Sequence, residues 1–134
     1  MLFGEEHVRT YKETDGQEGH DWQGTQCLLL TTTGRRSGEP RELPLIYGRH
    51  GDAYLVVASK GGADDPPAWY LNLQADPRAE VQVWGDRFPA TARVATPEEK
   101  AEMWKTMVAE WPAYDDYQAK TDREIPIIVL ERAG

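Results

Sequence analysis

The sequence predicts an α+β fold that is mainly β, an antiparallel barrel or half-barrel of about six strands with peripheral helices. Three observations carry this reading. Runs rich in Leu, Val and Thr are joined by tight turn signals, such as His50-Gly51-Asp52 and Gly85-Asp86, rather than by helices. The helical patterns stand apart from the strand pairs, with one long crossover helix late in the chain. So few strands also protect their edges most simply by closing on one another; a β-sandwich is the competing architecture.

In chain order, residues 5–14 form a short helix with Val8 and Tyr11 on a narrow apolar face, so the N-terminus is expected to dock loosely. Asp15-Gly16 and Gly19 end it and leave His20, Asp21 and Trp22 in a polar linker. Strands follow at 26–33, at 41–47, where Leu43, Leu45 and Tyr47 alternate, and at 53–59. Pro67 suits the first position of a helix over 68–74, which stops before Pro77. Strands at 79–84 and 87–95 flank the Gly85-Asp86 turn. Thr96-Pro97-Glu98-Glu99 is a strong helix start: Thr96 caps, Pro97 takes the first position and Glu99 completes a capping box. That helix turns Ala101, Met103, Trp104, Met107 and Val108 inward and ends near 110. Pro112 begins a second piece over 113–120, and 125–130 is the final strand. The chain reads as one domain, 1–134, made of an N-terminal helix and linker (1–25) and a cofactor-binding barrel (26–134).

At 134 residues, 40% hydrophobic and 28% charged, such a domain can bury a real core. Its net charge of -8 argues against a nucleic-acid partner, whose phosphates call for a basic surface. Cys27 is the single cysteine, so no internal disulfide forms; its apolar neighbours predict a buried, inert thiol and a reducing, cytoplasmic setting. No apolar segment approaches the ~20 residues of a membrane span. Residues 1–10 lack the apolar core of a signal peptide, which leaves only peripheral membrane association open.

Against the acidic whole, residues 34–60 gather Arg35, Arg36, Arg41, Arg49 and Lys60 against Glu39, Glu42 and Asp52. The turn Gly34-Arg35-Arg36-Ser37-Gly38-Glu39-Pro40-Arg41 offers planar guanidinium groups, a hydroxyl and glycine backbone that an anion can approach closely. On spacing alone it reads equally well as a solvated hairpin. Ser59-Lys60-Gly61-Gly62 supplies a second cationic glycine turn, and Trp69 and Tyr70 begin the next helix. Trp111, Tyr114 and Tyr117 share a helical face, either as phenols in one cavity or as a packing stripe. His7, His20 and His50 are scattered without a ligand motif, so no metal site is expected. Neither a GxSxG elbow nor a GxGxxG turn is present. An enzyme without a nucleophile or acid–base pair is one that borrows its chemistry from an organic cofactor.

The segments LLLTTTGRRSGEPRELPLIYG, LVVASKGGADDPPAWYLNLQADP, ATARVATPEEKAEMW and WPAYDDYQAKTDREIPIIVLE occur in this order. Together they resemble the deazaflavin-dependent nitroreductase and quinone reductase family of actinobacteria, over residues 27–131. The resemblance implies a split β-barrel, FMN-binding-like, related to pyridoxamine phosphate oxidases. It implies coenzyme F-420, an 8-hydroxy-5-deazaflavin, as cofactor and a quinone-like or nitroaromatic acceptor. By the same resemblance, Arg35, Arg36, Ser37 and Arg41 hold the phosphodiester and oligoglutamate tail of the coenzyme. Val57, Ala58, Ser59 and Lys60 lie against the ring and ribityl chain, and Ala68, Trp69 and Asn72 close another side. Gly38, Pro44 and Gly61 complete the cofactor-binding set. Tyr114 and Tyr117 are the implied catalytic residues and, with Trp111, line the substrate pocket. Relatives of this fold occur as monomers and homodimers. An FMN or FAD reductase and a non-catalytic cofactor or lipid carrier are the alternatives.

Overall fold

Cys27, Leu28, Leu29 and Leu30 leave no polar position in the alternation, which calls for a strand covered on both faces. The structure, a computed structural model describing residues 2–133, places this stretch in strand β2 (Thr25–Thr33), with all four side chains buried. β3 (Pro40–Ile46) pairs antiparallel along one side of β2 and β6 (Arg78–Val83) along the other, while β1 (Asp21–Trp22) pairs antiparallel with the first residues of β2. The sheet continues through β7 (Asp86–Val94), β8 (Ile127–Arg132) and β5 (Ala53–Val57) to β4 (Gly48–His50). Tyr47 alone separates β3 from β4, although these strands sit at opposite ends of the sheet order. The sheet must therefore curl until its ends approach each other at that corner, which makes it a half-barrel rather than a flat sheet.

Among the described residues the sheet holds eight strands rather than about six. The two additions, β1 and β4, are two and three residues long, too short for any periodicity to register. β1 also corrects the linker reading of residues 20–22: Asp21 and Trp22 pair with Gln26 and Thr25, and His20 is buried. His20 packs at 3.8 Å on the Trp84 ring and shares a 2.7 Å hydrogen bond with the Tyr47 hydroxyl.

Strands β5 and β8 separate two cores by their alternation. Tyr54, Val56, Ile128 and Leu130 face the barrel interior with Leu28, Leu30, Val81 and Phe88. Leu55, Val57, Ile127 and Val129 face outward, where Met103, Met107 and Tyr114 cover them. Those covers come from α3 (Pro97–Glu110) and α4 (Ala113–Ala119). Ala101, expected on the inner face of α3, is exposed; the helix buries the narrower stripe of Met103 and Met107, flanked by Trp104 and Val108. Pro67 precedes α2 (Ala68–Ala75) as its N-cap, one position earlier than expected.

α1 (Gly4–Glu13) docks firmly, contrary to the expectation from Val8 and Tyr11 alone. His7 and Tyr11 are both buried; the Tyr11 hydroxyl donates to Cys27 O at 3.0 Å and accepts from Trp84 N at 3.0 Å. A polar side chain, His7, supplied the second inward position that an apolar count could not see. Among the described residues no helix is long and apolar enough to cross a membrane.

The cap of α3 matches the sequence in detail. Thr96 Oγ1 accepts from Glu99 N at 3.3 Å, and Glu99 Oε1 accepts from Thr96 N at 2.9 Å. Arg93 grips both Glu99 oxygens, at 2.7 and 2.8 Å. The Arg93 hydrogen bonds, with that from Thr96 N, pull the Glu99 carboxyl from 4.5 down to about 2. A depressed carboxyl stabilises the fold fully above its ordinary range and loses that effect as pH falls. The first turn of α3 should therefore loosen between pH 4.5 and about 2. Carbon-detected NMR titration of Glu99, with amide exchange across the first turn, checks this; an ordinary Glu99 midpoint contradicts it.

Candidate functional site

A groove of about 930 Å³ runs over the outside of the barrel, bounded by the turn between β2 and β3, the loop after β5, and helices α2 and α4. It brings together residues far apart in sequence. Arg35, Arg36, Ser37, Arg41 and Pro44 line it from one direction. Val57, Ser59, Lys60 and Gly61 line it from the β5 loop, Ala68, Trp69 and Asn72 from α2, and Trp111, Tyr114 and Tyr117 from the α3–α4 corner. Two residues of the expected set do not face it. Ala58, one residue past the end of β5, is fully buried among the barrel-interior residues. Gly38 (φ 74°) closes the arginine turn, its N–H donating to Gly34 O at 2.8 Å, and presents no surface to the groove.

The arginine turn is fixed from beneath by Asn72. Its Oδ1 accepts from Arg35 N at 3.1 Å and Arg35 Nη1 at 3.3 Å, while Nδ2 donates to Thr32 Oγ1 at 3.1 Å. The Asn72 amide thus ties the turn to β2 from the groove wall. Asn72→Ala, which orphans a buried hydroxyl and the Arg35 amide, is expected to cost about 1–3 kcal/mol in urea unfolding. Unchanged stability would show that the bridge does not hold the turn.

Ser37 Oγ accepts from Glu39 N at 3.1 Å and Arg41 Nη2 at 3.3 Å, so its proton remains free to donate outward. Among the described residues, no carboxylate comes within ion-pair distance of Arg35, Arg36 or Arg41. Three uncompensated guanidinium groups in a chain of net charge -8 leave a local field that attracts an anion. Lys60 differs: its Nζ meets Asp65 Oδ2 at 2.9 Å, so the second turn brings its own counter-ion.

The two tyrosines also differ from each other. Tyr117 hydroxyl accepts from Trp111 Nε1 at 3.3 Å. Tyr114 is 5% exposed; its hydroxyl makes no protein hydrogen bond among the described residues and opens on the groove. Burial, more than the neighbouring Cys27 and Tyr117, pushes the Tyr114 phenol well above its ordinary range. It therefore stays protonated at neutral pH, a free O–H donor in the groove wall.

Sequence reasoning missed the contribution of the N-terminus. Phe3, His7 and Trp22 also line the groove. Trp22 meets Phe3 edge-on at 5.7 Å, His7 face-on at 6.1 Å and Trp111 at 6.0 Å, so aromatic rings run continuously to Tyr117. The signal was present as Phe3, His7 and Tyr11 at four-residue spacing, a helical stripe that counts only when histidine is admitted to it. Cys27 lines the groove as a buried thiol, raised by desolvation to about 12 and thus inert.

A curled antiparallel half-barrel bearing an aromatic groove, uncompensated arginines and a neutral phenol defines a cofactor-dependent oxidoreductase of the split-barrel class. Residues 3–132 match the F420H(2)-dependent quinone reductase family, and the chain belongs to that family. A quinone reductase of the same description from Mycobacterium tuberculosis is 44% identical over 131 residues, 94% of this chain and 87% of its own. A solved structure of an F420-H2 dependent reductase superposes with a TM-score of 0.73 at 42% identity, covering 78% of this chain and 93% of that one. Another, described as a domain-swapped dimer, gives 0.76 at 39% identity over 92% of each chain. The protein is an oxidoreductase dependent on coenzyme F-420, and the flavin and carrier alternatives give way to it.

Proposed function

We propose that the groove holds coenzyme F-420 with its anionic tail on Arg35, Arg36 and Arg41, and reduces a quinone-like or nitroaromatic acceptor beside Tyr114. The observation that carries this is the pairing of three uncompensated arginines with an aromatic, largely apolar cavity. That donor set suits a molecule that is flat and apolar at one end and polyanionic at the other. The reduced coenzyme, when bound, supplies the hydride. Val57, Trp69 and Pro44 would exclude water around the bound ring, and the Ser59–Gly61 segment would help hold the rest of the coenzyme. Tyr114 donates its hydrogen bond to the acceptor's carbonyl or nitro oxygen as negative charge develops there. Tyr117, held by Trp111, shapes the pocket wall.

The relative described as a domain-swapped dimer supports a homodimer over a monomer for this chain, which sedimentation equilibrium would test. The buried, reduced Cys27 supports a cytoplasmic location. The acceptor is tested by mixing the purified protein and reduced coenzyme with menadione and, separately, with a nitroaromatic, and following the oxidised cofactor by absorbance. Turnover with menadione supports the quinone reading. Turnover with the nitroaromatic alone moves the acceptor class, and no turnover with either sinks the proposal.

A further inference from the structure

The loop after β5 brings Ser59, Lys60 and Gly61 to the groove in a short turn over Lys60–Gly62 whose backbone angles are unfavourable for lysine. Lys60, Gly61 and Gly62 all have positive φ, at 47°, 63° and 86°. Glycine adopts that region freely; lysine does so only when its surroundings impose it. The restraint comes from beyond α4. Arg123 Nε donates to Ala63 O at 2.8 Å, and its Nη2 donates to Ser59 O at 2.9 Å and Ala58 O at 3.2 Å. Among the described residues no carboxylate forms an ion pair with Arg123, so its fork is committed to these carbonyls.

Arg123 is in turn pinned to α4. Gln118 Nε2 donates to Arg123 O at 2.8 Å, and Gln118 Oε1 accepts from Ile125 N at 2.9 Å. Thr121 Oγ1 donates to Asp64 Oδ1 at 2.8 Å, a second tie between the same two segments. The third is direct contact. A Cβ on Gly62 would lie 2.7 Å from Tyr117 O, so only glycine lets the loop backbone rest on α4 there. Tyr114 and Tyr117 both belong to α4.

We infer that Arg123 is a positioning residue that makes the β5 loop and helix α4 one rigid unit, so that coenzyme on the loop side raises affinity for acceptor on the helix side. The inference rests on the proposed reading of those two sides. By linkage the coupling is reciprocal, so the acceptor must raise coenzyme affinity by the same factor. A lysine cannot replace the clamp, because a single ammonium does not reproduce the planar fork across three carbonyls.

The experiment uses the full chain and its Arg123→Ala and Arg123→Lys variants. Oxidised coenzyme, which cannot reduce menadione, is titrated by fluorescence with and without saturating menadione. Amide exchange is followed at Gly62 and Ala63, whose N–H groups bond to Ser59 O and Lys60 O. Wild type is expected to show about fivefold or greater mutual tightening. Both variants should lose it and exchange faster at these two amides. Millimolar guanidinium should restore coupling and protection to Arg123→Ala. Coupling and exchange unchanged in the variants, or no coupling in wild type, overturns the inference. Loss that guanidinium does not restore and that merely follows a lower melting temperature also overturns it. Should the alanine variant fail to fold, the lysine variant alone decides. Failure of wild type to bind coenzyme refutes the functional reading instead, while the exchange data still test the clamp.

Discussion

Arg36→Ala is expected to weaken coenzyme binding roughly 10- to 150-fold, about 1.5–3 kcal/mol, the range of a hydrogen bond to a charged group. Arg36 is the informative choice among the three arginines. Arg35 also bonds to Asn72, and Arg41 also bonds to Ser37, so their loss disturbs the turn as well as the charge. Arg36 is exposed and enters no ion pair among the described residues, so its truncation leaves the fold's own contacts in place. The melting temperature should stay put while the dissociation constant rises, and the wild-type constant should itself rise with salt. Fluorescence titration at two ionic strengths reads both effects. An unchanged dissociation constant would remove the tail from this turn.

Tyr114→Phe is expected to cut turnover at saturating coenzyme by about a hundredfold, the lower part of the range for a positioned proton donor. The change removes one oxygen and keeps the ring that packs at 6.0 Å on Tyr117 and 6.4 Å on Trp104. Coenzyme affinity should therefore barely move. Tyr117→Phe should do less: its oxygen accepts from Trp111 Nε1, and the loss falls on that indole rather than on the acceptor. Since burial raises the Tyr114 phenol and the protonated form is the donor, the wild-type rate should not fall through the ordinary tyrosine ionisation near pH 10. Stopped-flow single turnovers over pH separate these cases. Equal losses for the two tyrosines would show that neither phenol has a special role.

The barrel was legible because its cues are local and repeated. The capping box at Thr96 and Glu99, the turns at Gly51 and Gly85, and the apolar run of β2 each act within a few residues. What escaped depends on contacts across the chain. β1 exists because Asp21 and Trp22 find β2, and α1 docks because His7 reaches Gly19 O at 2.7 Å; neither event has a periodicity of its own. The candidate site divides the same way. The arginine turn and the tyrosines stood out by residue type, but the sequence could not show that Asn72 supports the turn, or that Lys60 carries its own Asp65. It could not show that Ala58 faces away from the groove while its neighbours face it, because that depends on where the strand ends. Arg123 was invisible, since an isolated arginine in a polar stretch looks like any solvated charge.

The central claim, that the arginine turn anchors an anionic tail while the chemistry proceeds at the tyrosine side, is tested most directly by removing the tail itself. Coenzyme F-420 and the same deazaflavin ending at its ribityl group are titrated into wild type and Arg36→Ala. The account predicts that truncation weakens binding strongly to wild type and distinctly less to the variant, because the two changes remove one interaction. Equal weakening in both proteins, with Arg36 indifferent to the tail, would contradict it.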